Sequence, residues 1–366
     1  MDDVRLLAAL VHRGHLDRSQ AEALFPALQR GEELDALLME HAGWSEETVA
    51  RMRRTRGGEI PEIPGYDMLD PAGTGGTSDV FRARERKTRR VLALKVLKPA
   101  AAAHPPTRKA FVAEARMLER LRHPGLVRGF GVARSGRTYF ARMEYVDGRT
   151  LLELLDGGRA FTEPEALGLV VEVARVLEYL EGEQIVHRDI KPGNIMLTGE
   201  NVVKLIDLGF AAETAESAEP AAGAEGQADD TTVGTVAYLS PEQARGGNLA
   251  DCRSDIYSLG VSLFHIAIGR LPFESSDNRE LMRMQVMEHL SSPELKGRGF
   301  SPHLHYFIEK MMAKEAGHRY QSWAQLIEDV QAQLVGRQSL DFEADVRAGR
   351  QPGRGRPRYG RGRRGR

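Results

Sequence analysis

Hydrophobic positions in this chain recur at two spacings, and the change from one to the other marks out its parts. Residues 1–60 follow a helical period with a faint internal repeat, in which Leu10-Val11, Gly14, Leu16, Asp17 and Leu24 are echoed by Leu38-Met39, Ala42, Trp44, Ser45 and Met52. Asp17 and Ser45 stand in matching places where helix N-caps belong. Two helix-turn-helix units packed as a small bundle are expected, for docking or regulation, or as a structural appendage. Ile60-Pro61-Glu62-Ile63-Pro64 closes this part, because its prolines suit neither a helix interior nor a central strand.

Strand-like spacing then takes over. Residues 66–69 and 80–83 read as two arms of a hairpin around a glycine-rich turn, and residues 91–97 as a further strand. Residues 107–121 return to the helical period, with Phe111, Ala115 and Leu118 on the inward stripe. Two short apolar runs, Ile185-Val186 and Ile195-Met196-Leu197, read as buried strand pieces enclosing a polar stretch. The longest apolar-rich run, residues 256–268, is interrupted by Ser258, Gly260, Ser262 and His265; too short to cross a bilayer, it reads as a buried helix. Beyond Gly336 the pattern dissolves into QPGRGRPRYGRGRRGR, with no acidic residue after Asp345, and residues 338–366 are expected to form a disordered basic tail.

Composition narrows the setting without naming a partner. With 366 residues, 41% of them hydrophobic, the chain can build two or three packed units. Its formal net charge of -1 favours no class of partner. A single cysteine, Cys252, forms no internal disulfide, and the first residues lack the apolar core of a secretory signal; both point to a reducing cytoplasm. No Cys/His cluster argues for zinc.

Candidate chemistry begins at Gly73-Thr74-Gly75-Gly76-Thr77-Ser78-Asp79-Val80, since glycines let backbone N–H groups approach a polyphosphate. Alone, such a run is weak evidence of nucleotide binding. Next, strand alternation sets Val91, Ala93, Lys95 and Leu97 on one face, so a lysine enters an apolar strand. An edge-strand lysine reaching for water is one account. The other is a partner: Glu114 falls on the same helix face as Phe111, Ala115 and Leu118, and a carboxylate turned toward a core is costly unless paired. The polar stretch between the two short apolar runs holds His187, Arg188, Asp189, Lys191 and Asn194 on a loop that would be clamped at both ends.

In the order and spacing of these motifs, residues 65–335 resemble the eukaryotic-like, Hanks-type protein kinases, most of all the bacterial serine/threonine kinases. Gly73, Gly75 and Ser78 take the places of three loop glycines, Lys95 that of the strand lysine and Glu114 that of its helix partner. Met143-Glu144-Tyr145-Val146 resemble the gatekeeper and hinge. His187-Arg188-Asp189 open the catalytic loop, and Asp207-Leu208-Gly209 is a variant of Asp-Phe-Gly. Ser240-Pro241-Glu242 resembles Ala-Pro-Glu, Asp255 the buried aspartate of a central helix, and Arg319 the arginine that pairs with that glutamate.

The resemblance implies an α+β, bilobal fold: a kinase domain at residues 64–335, made of a β-rich N-lobe (64–143), then the hinge and an α-helical C-lobe (144–335), with ATP at their junction. It implies phosphorylation of Ser/Thr hydroxyls on protein substrates, with Asp189, Lys191, Lys95 and Glu114 as catalytic residues. Nucleotide contacts fall to Gly73, Thr74, Gly75, Gly76, Thr77, Ser78, Val80, Ala93, Lys95, Met143, Glu144, Val146, Asn194, Met196 and Asp207. Asn194 and Asp207 would hold Mg²⁺, with Mn²⁺ as the alternative. His187 is expected to be a packed structural histidine rather than a base.

Departures matter equally. Ser78 for the third glycine should stiffen the loop tip and leave ATP binding intact, and Leu208 for phenylalanine keeps an apolar plug. Arg188 before the catalytic aspartate goes with activation by phosphorylation, for which Thr231 and Thr232 are the candidate acceptors, autophosphorylation included. Ala212, where many relatives carry a second basic residue, weakens that pocket. The acidic, pattern-free residues 213–230 should form a mobile loop whose carboxylates repel acidic substrates and compete for Arg188, or a merely solvated insertion. Lys191 and Gly234-Thr235 ahead of Tyr238 favour the Ser/Thr type, and Gly193 gives no support for an arginine-directed substrate. A pseudokinase scaffold would have lost Lys95, Glu114, Asp189, Asn194 and Asp207, which are all present. The tail offers a second class of function, weak contact with nucleic acid or an anionic surface through guanidinium groups, with Tyr359 its one aromatic. Oligomeric state is left open.

Overall fold

The computed structural model describes residues 3–12, 16–46, 48–49, 60–209, 212–213, 236–246, 250–290 and 300–336. Thr231, Thr232, Gly234-Thr235, the acidic stretch 214–230, Met52 and the basic tail lie outside the described residues. The chain divides into two compact units, residues 1–119 with 129–145 and residues 120–128 with 146–366.

The first unit opens with the expected helices, α1 (Asp3–His12), α2 (Arg18–Gln29) and α3 (Leu34–His41). Leu6, Leu10, Leu24, Leu34 and Leu38 are among the residues that form their shared core. The internal repeat is repeated hydrogen bonding as well as repeated sequence. Leu16 N–H returns to the Leu10 carbonyl at 3.4 Å, and Trp44 N–H returns to the Leu38 carbonyl at 3.2 Å. The Asp17 carboxylate accepts from Gln20 N–H in a capping box, and the Ser45 hydroxyl accepts from Thr48 N–H at 3.2 Å.

The sheet of this unit has five antiparallel strands: β1 (Tyr66–Thr74), β2 (Ser78–Glu85), β3 (Val91–Leu97), β4 (Gly129–Ser135) and β5 (Thr138–Glu144), in the order β1-β2-β3-β5-β4. The hairpin arms run further than the apolar residues alone suggest. Ladder pairing carries β1 through Pro71 into the glycine run, with register shifts on either side of that proline. An edge strand tolerates this, because its outer N–H groups need no partner. Ile60 and Ile63, 0% and 1% exposed, bury into the sheet core, so the proline-rich boundary is a packed strap. Two helices follow β3: α4 (Pro99–Ala103) and α5 (Pro105–Arg120), the latter burying Phe111, Ala115 and Leu118 as their spacing predicts. Gly129 lets α5 lie against β4, since a β-carbon there would stand 2.7 Å from the Leu118 carbonyl carbon.

The second unit is mainly helical. It contains β6 (Gly148–Thr150), α6 (Leu151–Asp156), α7 (Glu163–Gly182), β7 (Ile185–Val186), β8 (Ile195–Thr198), β9 (Val203–Leu205), β10 (Ala212–Glu213), α8 (Pro241–Ala244), α9 (Cys252–Ile268), α10 (Asn278–Met287), α11 (Pro302–Met311) and α12 (Trp323–Leu334). The two apolar runs around the polar loop are the strands expected: β7 pairs with β10, and β8 sits between β6 and β9. Helix α9 is buried along nearly its whole length. No helix among the described residues is long and apolar enough to cross a membrane.

Candidate active site

In the first unit, the sheet register gathers the residues singled out in sequence. Gly73 pairs with Val80, Val80 with Lys95, and Ala93 with Met143. Strand β3 is central, which rules out the edge-strand account of Lys95. Its ammonium lies 2.7 Å from Glu114 Oε1, and each side chain is 14% exposed. The helical spacing that set Glu114 on the stripe of Phe111, Ala115 and Leu118 is therefore what brings it to the lysine.

The glycine-rich turn is closed by a bond from Gly75 N–H to the Ser78 carbonyl at 2.9 Å. None of Gly73, Gly75 and Gly76 takes a positive φ. A β-carbon on Gly75 would stand 3.2 Å from the Ser78 carbonyl oxygen, whereas one on Gly76 meets nothing within 4 Å. Thr74, Gly76 and Thr77 are exposed, while Ser78 is buried at the start of β2. Sequence reasoning passed over Lys98, whose ammonium reaches the Gly75 carbonyl at 2.5 Å and Asp79 Oδ1 at 3.4 Å. Its place just beyond β3, opposite the turn, was the available signal. Glu144 ends β5, and the two units part between Tyr145 and the buried Val146.

In the second unit, the loop between β7 and β8 is pinned from beneath by Asp255 of α9. Its carboxylate is 3% exposed and accepts from His187 N–H at 2.8 Å and Arg188 N–H at 2.7 Å. Arg188 takes a φ of 67°, in the left-handed region that disfavours a residue with a β-carbon. Burial raises the Asp255 carboxyl above its ordinary range, against the opposing pull of His187 and Arg188 and their two backbone donors. His187 is fully buried, and burial lowers its imidazole; Nδ1 accepts from Asp189 N–H at 3.3 Å, and Nε2 meets no partner among the described residues. This is the packed position expected of a structural histidine.

Asp189 gathers the polar groups of the loop. Its Oδ2 lies 2.8 Å from the Lys191 ammonium and accepts from Asn194 Nδ2 at 2.9 Å, and that amide nitrogen also bonds the Asp189 carbonyl. Oδ1 makes no hydrogen bond to a described residue. Burial pushes the Asp189 carboxyl up, and nearby Asp207 pushes the same way, while Lys191 and Asn194 oppose them. Ile206 N–H bonds the Asn194 carbonyl at 3.0 Å, which sets Asp207 beside Asn194. Asp207 Oδ1 accepts from Gly209 N–H at 3.1 Å, and Leu208 is buried as a plug. Met196 follows on β8.

These groups fit a hard divalent cation. With its amide nitrogen committed to Asp189, Asn194 has a carbonyl oxygen to offer next to the Asp207 carboxylate. Among the described residues no group of three His, Cys, Asp or Glu side chains could hold a metal.

The segment before α8 is tied to this loop by a residue the sequence reading passed over. Ser240 caps α8 with Gln243, and Gln243 Nε2 donates to the Arg188 carbonyl at 3.0 Å. The spacing Ser240-x-x-Gln243 was a legible capping box. Arg319, 2% exposed, holds Glu242 at 2.7 and 2.9 Å, and Ser254 donates to the same carboxylate at 2.6 Å. Burial would raise the Glu242 carboxyl, but the bonds and charge of Arg319, with Ser254, bring it down to about 2.

Known proteins are similar to this chain. A family model described as protein kinase domain matches residues 66–330. Probable serine/threonine-protein kinase SCO3848 of Streptomyces coelicolor is 34% identical over 278 residues, which cover 74% of this chain and 40% of that protein. Serine/threonine-protein kinase PknB of Mycobacterium leprae is 34% identical over 269 residues, 72% of this chain and 42% of its own. Probable serine/threonine-protein kinase CPE1738 of Clostridium perfringens is 32% identical over 266 residues, 73% of this chain and 38% of its own. The chain thus spans about two fifths of the length of these relatives. Because the match runs from β1 to α12 and takes in every site residue described above, the chain belongs to the protein kinase family.

Proposed function

We propose that the chain is an ATP-dependent kinase of serine and threonine hydroxyls on proteins, its own Thr231 and Thr232 included. The observation that carries this reading is the state of Asp189: Oδ2 is held by Lys191 and Asn194, Oδ1 makes no bond to a described residue, and burial raises its affinity for a proton. A substrate hydroxyl donates to Oδ1. Its oxygen forms the new bond to the γ-phosphorus as the bond to the β–γ bridging oxygen breaks; the proton goes to Asp189, and ADP leaves with the electron pair. Lys191 compensates charge on the transferring group, and Lys95, oriented by Glu114, does so for the other phosphates. Asn194 and Asp207 hold Mg²⁺, or Mn²⁺ in its place, which neutralises phosphate charge. Gly73 to Ser78, with Val80, Ala93, Met143, Glu144, Val146 and Met196, serve the nucleotide. A reducing compartment supplied with ATP, the cytoplasm, is the setting this reading requires.

Incubation with Mg·ATP followed by mass-spectrometric mapping tests it. Phosphate on Ser or Thr of the chain or of an added protein, absent in Asp189→Asn, is the expected result. Phosphorylation undiminished in Asp189→Asn would overturn the assignment.

A further inference from the structure

Behind the segment 236–240 lies a chain of buried hydrogen bonds that the phosphate chemistry does not use. Gln285, on α10, is 0% exposed. Its Nε2 donates to the Ala237 carbonyl, and its Oε1 accepts from the Tyr257 hydroxyl of α9 at 2.7 Å. The same hydroxyl accepts from the Lys314 ammonium at 2.9 Å, and Lys314 also donates to the Gln285 carbonyl at 2.7 Å. The direction of this relay is fixed at its Ala237 end. A carbonyl only accepts, so the amide nitrogen must face it and the amide oxygen must face Tyr257. The hydroxyl must then donate to Gln285, which leaves its lone pairs for Lys314. Only this orientation satisfies every group of the fully buried amide.

Ala237 also belongs to the segment that leads into α8. It stands three residues before Ser240, whose capping partner Gln243 bonds the carbonyl of Arg188, the neighbour of Asp189. We propose that a polypeptide presenting a hydroxyl to Asp189 passes the segment 236–240, and that Gln285 is a positioning residue for it, setting the Ala237 backbone through the relay Lys314–Tyr257–Gln285; this rests on the kinase reading above.

Steady-state kinetics of the full chain with Mg·ATP and a degenerate mixture of serine/threonine peptides test it. Gln285→Met keeps the side-chain length and removes both amide bonds. It should raise the KM for peptide about tenfold, with kcat and the KM for ATP within about twofold of the parent. Tyr257→Phe keeps the ring and should raise the peptide KM about threefold, and the double variant should be no worse than Gln285→Met, because both cut one relay. Lys314→Arg, which still donates, should stay near the parent, whereas Lys314→Met should behave like Tyr257→Phe. An unchanged peptide KM in Gln285→Met, or a parallel fall with peptide and ATP, overturns the proposal. If circular dichroism shows Gln285→Met unfolded, Tyr257→Phe decides by the same criterion. A parent chain that turns over no ATP and labels no peptide overturns the kinase reading, and the relay's role with it; an active parent with indifferent variants overturns the relay alone.

Discussion

Each unit of the molecule holds a carboxylate against a buried or half-buried cation, and the two pairs are built differently. In the helical unit, the Arg319 side chain is fully enclosed; beyond Glu242 it donates to the carbonyls of Ala313, Arg253 and Lys314. In the sheet unit, Lys95 and Glu114 meet at 2.7 Å with each side chain still 14% exposed. An enclosed, fully bonded guanidinium serves the fold, since it has no donor left to give. Lys95 and Glu114 each stay partly exposed, so their pair is not enclosed as that of Arg319 is.

The contrast can be broken first at the catalytic loop, where the largest effect is expected. Asp189→Asn preserves shape, and kcat should fall about 10²- to 10⁴-fold with Tm nearly unchanged; a large loss of Tm would instead class Asp189 with the structural groups. Arg319→Met leaves Glu242 buried and unpaired, and urea denaturation should register a loss of about 3–5 kcal/mol. Lys95→Met sharpens the comparison from the other side: kcat should drop about 10²- to 10³-fold, while the stability loss stays below that of Arg319→Met. A stability loss as large as at Arg319 would erase the distinction.

Acid offers a gentler test. Glu242 titrates at about 2 in the fold against an ordinary 4.5, so its stabilising contribution is complete above 4.5 and is lost as pH falls toward 2. Urea midpoints should decline over that window in the parent and less in Glu242→Gln. Smallest of all, Asp17→Ala, which removes the cap of α2, should cost about 1 kcal/mol and leave peptide phosphorylation alone.

The elements that carry the site were legible in sequence because each has a local signature. Glu114 announced itself as an acid on an apolar stripe, and the two short strands around Asp189 as apolar runs enclosing polar residues. Lys98, Gln243, Gln285 and Lys314 are not legible in that way, and the reason is physical. Their partners are mostly backbone carbonyls or residues remote in the chain, which leave no trace in periodicity. Gln285 did leave one clue, since it shares the buried face of α10 with Leu281, one helical turn away. It is the same kind of signal that revealed Glu114. Strand β1 runs further than its sequence suggests because glycines and a proline carry no strand propensity, although ladder pairing needs only backbone.

Arg188 keeps a side chain at a bend where, with a φ of 67°, glycine would be easier by about 1–2 kcal/mol. Arg89, Gln184 and Asn201 bear a similar cost at φ 63°, 61° and 61°. At Arg188 that cost falls on the backbone whose N–H is anchored by Asp255 and whose carbonyl is anchored by Gln243, so the bend is secured from both sides one residue before Asp189.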